Sequence, residues 1–498
     1  MADAAPDDGG DGDATATSPK QVETDDAHLP SAVSIHEAIR MVGYGRFQRT
    51  LLVVSGLMFM ADATEVMLLS FLQVLVKDEW HLSYAQEAGI TAAVFAGELP
   101  GALFWGYFGD KYGRRMGFLW SALCIAIFGV LSAFATNVYY LMACRAVVGF
   151  GVAGSLVPFD LMAEFLPDKE RGRILLYFQL FWTVGIGFVA VLAWSVLEPL
   201  GWRWLTALCA TPLLLVLASF PWMPESPKWL CDQMRFEEAL VVLRMTASLN
   251  GTELDPTLSL RPMESTKYNK HRGVHELCGP VLRRASTMLF LIWFGFGLAY
   301  YGIILLFPRL FAQSSSSTET FNYASIFLAA LAEVLGVLCT IAVVDRWGRR
   351  GTQVVMYGVA TLAVLASAAE WSLWLLTLLA MLARAAIMGA SSTTWLATPE
   401  AFPTHVRTTG HGIASGMARI GGFLTPFLAD APGMTVEYIC GIYGIVLGLT
   451  TVAAYGLPPD PTDPDDVALS TELQGLTTSE ESSSTNLTPS GDDDAQVS

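Results

Sequence analysis

The stretch Asp110-Lys-Tyr-Gly-Arg-Arg115 returns 235 residues later as Asp345-Arg-Trp-Gly-Arg-Arg350. A second motif, Glu164-x-x-Pro167-x-x-x-Arg171, returns 236 residues later as Glu400-x-x-Pro403-x-x-x-Arg407. Arg145 and Gly149 are matched more loosely by Arg384 and Gly389. A near-constant offset across three motifs means that the chain repeats one unit twice, in parallel. Long apolar runs separate the motifs, six to each copy. We read them as spans at about 50–75, 87–108, 116–136, 139–161, 174–196 and 203–222, then 286–311, 322–343, 353–369, 372–395, 408–429 and 437–456. A helix of about 18 apolar residues is long enough to cross roughly 30 Å of hydrocarbon. The expected fold is therefore all-α: a polytopic membrane protein of twelve transmembrane helices in two pseudo-symmetric six-helix halves. In transporters built from such repeats, the solute site lies between the halves near the midplane.

Composition agrees with that reading. Hydrophobic residues make up 53% of the chain and charged residues 15%, against about 25% charged in soluble domains. The net charge of −17 belongs to the ends: residues 1–33 carry −7 and residues 458–498 carry −10. The remainder is formally neutral, with no basic face for nucleic acid. The expected organisation is an acidic disordered tail (1–33), a first half (34–222), a cytoplasmic linker with short helices (223–285), a second half (286–457) and a second acidic disordered tail (458–498). Ser34-Ile-His-Glu37 has capping-box spacing and opens a short helix ahead of the first span. Lys and Arg gather in the loops after spans two, four, eight and ten, which places both termini and the linker in the cytoplasm. Plasma membrane and endomembrane are both compatible with this. The seven cysteines are scattered and show no metal-ligand spacing, so they are read as small buried hydrophobes. No Walker loop, metal cluster or nucleophile–base pattern is present, so neither enzyme activity nor a cofactor or metal is expected.

Gly106-Tyr-Phe-Gly-Asp110-Lys-Tyr-Gly-Arg114-Arg115, Pro224-Glu-Ser-Pro-Lys-Trp-Leu230 and Glu400-Ala-Phe-Pro-Thr404 with Arg407 resemble signatures of the major facilitator superfamily. Gly43-Tyr-Gly-Arg-Phe-Gln48, Ala61-Asp-Ala-Thr-Glu-Val-Met-Leu-Leu-Ser70, Phe181-Trp-Thr-Val-Gly185 and Ala418-Arg-Ile-Gly-Gly422 narrow the resemblance. They are similar to the branch of synaptic-vesicle-two-related proteins, plant organic cation/carnitine carriers and nicotinate carriers. The resemblance implies proton-coupled or facilitated transport of small organic ions or vitamins, with symport as the expected mode. It departs in span five, where Val189 stands in place of an acid common in the branch.

An ionisable side chain at the centre of a span costs about 2.5–3.5 kcal/mol on insertion scales, so each needs a partner, a wet cavity or a task. Asp62 and Glu65 lie three apart on one face of span one and are the proton-coupling candidates; the alternative is pairing with Arg145 or another helix. Arg419 lies near the middle of span eleven and suits a substrate carboxylate; the alternative is a fixed bridge to Glu333 or another acid. Gln179, Trp182, Tyr300, Tyr301 and Trp395 join it as substrate-binding candidates, with Phe181 and Trp293 as further cavity aromatics. Arg145, Arg384 and Glu333 are read as structural charges, the arginines holding helices one and four or seven and ten. Glu98 and Asp160 are lesser candidates, Glu98 standing at a bend before Pro100. Asp110, Arg114, Arg115, Glu164, Arg171 and Glu225, with Asp345, Arg349, Arg350, Glu400 and Arg407, are read as a gate and conformational network. In that network Asp110 caps a helix, and Arg114 and Arg115 reach carboxylates such as Glu164 or Glu225. The expected function is alternating-access, proton-coupled transport of a small organic solute, with an organic anion or zwitterion such as nicotinate as the sharpest form. The alternatives are a carnitine-like organic cation, a sugar-like solute, or a non-transporting membrane receptor or vesicle protein. The partners are the solute, protons and the lipid bilayer, and one chain holds both halves, enough to work as a monomer.

Overall fold

The computed structural model describes residues 32–261, 275, 277–280, 282–314, 322–402, 406–429 and 433–458. Twelve helical spans follow in order among them. The first half holds span 1 (Arg46–Trp80), span 2 (Tyr84–Tyr112), span 3 (Arg114–Ala133), span 4 (Val138–Glu164), span 5 (168–200) and span 6 (202–222). The second holds span 7 (Arg283–Ser314), span 8 (323–347), span 9 (349–366), span 10 (Leu373–Ala401), span 11 (Arg407–Ala429) and span 12 (Val436–Tyr455). Spans 5 and 6 are divided only at Gly201 (φ 79°), and spans 8 and 9 only at Gly348 (φ 70°). Gly113 (φ 102°) divides spans 2 and 3 at the place equivalent to Gly348. A left-handed backbone at these two turns favours glycine, because a side chain there is strained.

The duplication extends to packing. A Cβ added to Gly97 would fall 1.9 Å from the Ala146 carbonyl oxygen, and one added to Gly336 would fall 1.9 Å from that of Ala385. Spans 2 and 4 therefore touch backbone to backbone, as do spans 8 and 10. In lipid, where no hydrophobic effect drives helices together, such small-residue seams supply the van der Waals contact. The halves meet through spans 2 and 11, spans 5 and 8, and spans 1 and 7. Pro100 does not break span 2, which runs unbroken as Tyr84–Tyr112.

The linker is organised around the first half. Helices Pro227–Asp232 and Phe236–Asn250 carry Trp229, Leu230, Leu240 and Leu243, which pack against Ile35, Ile39 and Val42 of the amphipathic helix Ile35–Val42. That helix opens with the expected capping box, Glu37 N–H donating to Ser34 Oγ and Ser34 N–H to Glu37. Ala32–Val33, expected as tail, instead pair in parallel with Ser259–Leu260. The rest of both expected tails, 1–31 and 459–498, lies outside the described residues. Asn250 ties this unit to span 1: its Oδ1 accepts from Phe47 N–H (3.0 Å) and its Nδ2 donates to Gln48 (2.9 Å). Among the cysteines, Cys144, Cys209, Cys231 and Cys440 are buried as expected, but Cys278 and Cys339 are exposed.

Overpacking a close-fitted seam costs about 1–3 kcal/mol. Gly97→Val and Gly336→Val are each expected to lower the melting temperature of the purified protein, followed by tryptophan fluorescence. Gly129→Ala, where a Cβ meets nothing within 4 Å, is expected not to lower it.

Candidate functional site

A cavity lies at mid-depth between the halves. Asp62 and Phe59 reach it from span 1, Ser155 from span 4, and Gln179 and Trp182 from span 5. Trp293, Phe296, Tyr300 and Tyr301 reach it from span 7, Trp395 from span 10, and Ser415 and Arg419 from span 11. All six substrate-binding candidates thus converge on one space. It is tight, with about 30 Å³ of open volume, so an organic solute needs the halves to move apart before it fits. The rings form a box: Phe59 lies 5.3 Å from Trp182, Trp182 6.1 Å from Tyr300, and Phe296 5.3 Å from Tyr300, centroid to centroid. Phe181 is not part of it, packing instead where Gly56 leaves room on span 1.

The lining residues sit from mid-membrane toward the face that carries the repeated loops, here the motif face. On the far face the halves are closed. Tyr84 of span 2 donates to the Phe427 carbonyl of span 11 (2.5 Å), and Phe71 of span 1 stacks on Tyr323 of span 8. Toward the motif face the halves touch through Phe159 of span 4 and Trp395 of span 10, 6.0 Å apart.

Two buried polar systems flank the cavity. In the first, Glu65 turns away from the cavity and pairs with Arg145, whose Nε also donates to Ser132 (3.1 Å). Asp62 and Glu65 therefore meet different partners, despite their shared helix face. Asp62 faces the cavity, is 1% exposed, and accepts from Ser155 through Oδ2 (3.1 Å). Its Oδ1 has no donor among the described residues. Arg419 does not reach Glu333. Its Nη1 lies 2.7 Å from Glu98 Oε2 and donates to the Tyr301 hydroxyl (3.1 Å). The Glu98 contact is close but off-line, an ion pair without hydrogen-bond geometry, since both Glu98 oxygens lack a donor.

In the second system, Glu333 Oε1 accepts from Arg384 Nε (2.9 Å) and Nη2 (2.7 Å) and from the Tyr300 hydroxyl (3.1 Å). Trp182 donates to that same hydroxyl (2.5 Å), linking span 5 to span 7. Arg145 holds spans 1 and 4 together as expected. Arg384 ties span 10 to span 8 and not directly to span 7, because its acid is on span 8. Glu98, read as standing at a bend, is a charge partner in an unbroken helix. Its own presence in an apolar run was the signal for it. Phe59, three residues before Asp62 and so on the same face, was missed for want of any charge.

At the motif face each half has its own loop cluster. Arg114 donates to Asp110 (2.7 Å) and to Glu164 (3.3 Å); Arg349 lies 3.6 Å from Asp345 and donates to Glu400 (3.0 Å). The guanidinium of Arg115 lies on the Phe220 ring (5.0 Å) and that of Arg350 on the Tyr455 ring (4.9 Å), so these two meet aromatic faces where carboxylates were expected. The helix cap is Glu225, not Asp110. Its carboxylate accepts from Arg115 N–H (3.2 Å) at the start of span 3, a place where the helix dipole favours negative charge. Burial pushes the Glu225 carboxyl up, and its backbone hydrogen bonds oppose that. Arg171 donates to the Leu166 carbonyl (3.4 Å), and the Arg407 side chain lies outside the described residues. The bonds named here stay within one half, which suits loop anchors that move with their half.

Residues 50–455 match the family model described as sugar (and other) transporter. An organic cation/carnitine transporter of Arabidopsis thaliana is 36% identical, over 80% of this chain and 88% of its own length. A synaptic vesicle 2-related protein of Bos taurus is 34% identical, over 87% of this chain and 81% of its own. The inward-open xylose transporter of E. coli superposes with a TM-score of 0.65 at 17% identity, covering 83% of this chain and 96% of that one.

Removing one partner of a buried ion pair costs about 3–5 kcal/mol, whereas replacing both by apolar groups can be neutral. Glu65→Ala is expected to collapse the yield of monodisperse protein in size-exclusion chromatography. The double variant Glu65→Leu with Arg145→Met is expected to recover most of it.

Proposed function

We propose that this chain, which belongs to the sugar (and other) transporter family of the major facilitator superfamily, carries a small organic cation across the membrane by alternating access. As a family member it is a multi-pass membrane transporter and not an enzyme. One observation carries the choice of cargo. At the centre of the bundle, Asp62, Glu65 and Glu98 face two guanidiniums, those of Arg145 and Arg419. Glu65 is taken by Arg145 and Glu98 by Arg419, which leaves Asp62 as the uncompensated carboxylate. It looks into a box of aromatic rings. A cation over such faces gains about 0.5–2 kcal/mol from each well-placed ring, more when desolvated, and Asp62 supplies the counter-charge.

An organic anion such as nicotinate needs a free Arg419. Here that guanidinium lies against Glu98 and Tyr301, so an anion must first displace a buried carboxylate. The name of the plant relative supports the cation reading. The distribution of loop Lys and Arg supports a cytoplasmic motif face, and the cavity then leans inward. Relatives named for synaptic vesicles support an endomembrane. Gln179 supplies hydrogen bonding, and Trp395 with Phe159 forms the thin inner closure. The two loop clusters act as anchors that keep each half rigid while it rocks.

Uptake of radiolabelled tetraethylammonium and of nicotinate into proteoliposomes tests this. Tetraethylammonium is expected to enter, and Asp62→Asn to reduce its uptake about tenfold or more, the scale of one charge-assisted contact. Nicotinate entry without any cation entry contradicts the reading.

A further inference from the structure

Glu98 is the residue whose chemistry the cation site alone does not use. It is fully buried, and neither carboxylate oxygen has a hydrogen-bond donor among the described residues. Its place is fixed by the seam of spans 2 and 4: Gly97 and Gly101 on either side of it lie against the Ala146 and Phe150 carbonyls, where a Cβ would come within 1.9 and 2.5 Å. Ionised, it is held by the Arg419 guanidinium, which belongs to the other half. The charged or titratable groups around it are Arg419 on span 11, Tyr301 on span 7, and Asp62 and Glu65 on span 1, with Arg145 on span 4 occupied by Glu65.

Arg419 has two acids within its influence, Glu98 in contact and Asp62 beyond it. Two carboxylates around one guanidinium carry a net charge of −1. One bound cation, either a proton or an organic ammonium, makes the set neutral. Both together leave a net positive charge in a site sealed from water on the far face, where uncompensated charge is costly. We infer that Glu98 is the proton-binding residue, and that proton and organic cation exclude one another through Arg419, so that this carrier exchanges the two and does not cotransport them. When Glu98 takes a proton from water, its charge is lost and the guanidinium turns to Asp62, which is then no longer free to hold the cation. When the cation enters, it restores the Glu98–Arg419 pair and the proton leaves to solvent. The inference rests on the cation reading above and adds to it the identity of the proton site and the sense of coupling.

Binding of tetraethylammonium to the purified protein in a weakly buffered medium tests it, with pH and bound cation followed together. Wild type is expected to release protons on binding, and its affinity to rise with pH, up to about tenfold per unit if one proton is displaced. Glu98→Gln leaves Arg419 to Asp62 alone and is expected to bind the cation weakly. Glu98→Gln with Arg419→Gln restores one free carboxylate, and is expected to regain binding with no proton release. If Glu98→Gln fails to fold, the wild-type proton release decides the exchange, and Glu98→Asp, which keeps the acid but shortens it, is expected to move the pH of greatest release; an unchanged profile overturns Glu98 as the proton site. Binding by wild type with equal affinity at about pH 5.5 and about pH 8, and no proton released, overturns the exchange while leaving the cation site standing. No cation binding by wild type overturns the cation site, and the exchange falls with it.

Discussion

Hydrocarbon does not tolerate a lone charge, and the interior of this bundle is arranged around that constraint. Arg145, Arg384 and Arg419 stand in the membrane region, and each lies against a carboxylate. Two of these pairs fasten helices within a half. The third, Arg419 with Glu98, joins one half to the other at the level of the cavity. The exception is Asp62, with one oxygen on Ser155 and the other without a donor among the described residues. An acid left uncompensated beside a cavity costs stability, and in the proposed reading its position among aromatic rings gives that cost a use.

The two halves share a scaffold but not a site. Gly97 and Gly336, Arg114 and Arg349, and Phe220 and Tyr455 occupy equivalent places and make equivalent contacts. The charges diverge. Arg145 finds its acid on span 1, whereas Arg384 finds Glu333 on span 8 and shares it with Tyr300 and Thr183. The structural repeat is kept where loops turn and helices touch. It is broken where the cavity is lined, so the pocket is asymmetric: acidic from span 1 and aromatic from spans 5 and 7.

The architecture was legible because it rests on periodic and local signals. Apolar run lengths gave the spans, and the recurrence of Asp110–Arg115 and Glu164–Arg171 gave the two halves. Pairing was less legible. Asp62 and Glu65 share a helix face in the sequence pattern, yet three residues fall about 60° short of a full turn, enough to send Glu65 to Arg145 and leave Asp62 in the cavity. Arg419 suits a substrate carboxylate in the sequence, with a bridge to Glu333 or another acid as the alternative; the acid it meets is Glu98, because spans 2 and 11 adjoin across the halves. Arg115 was given a carboxylate because of its charge; its backbone N–H took Glu225, and its guanidinium found a ring that lies 105 residues away in the chain. Such choices are made by tertiary packing, which no local pattern encodes.

The most direct measurement is a cryo-electron microscopy structure of the protein in nanodiscs with saturating tetraethylammonium. The account places the cation between Asp62 and the rings of Trp182, Phe296 and Tyr300, with Arg419 still against Glu98. A cation bound away from Asp62, or Asp62 closed onto Arg419 while the cation is present, contradicts it.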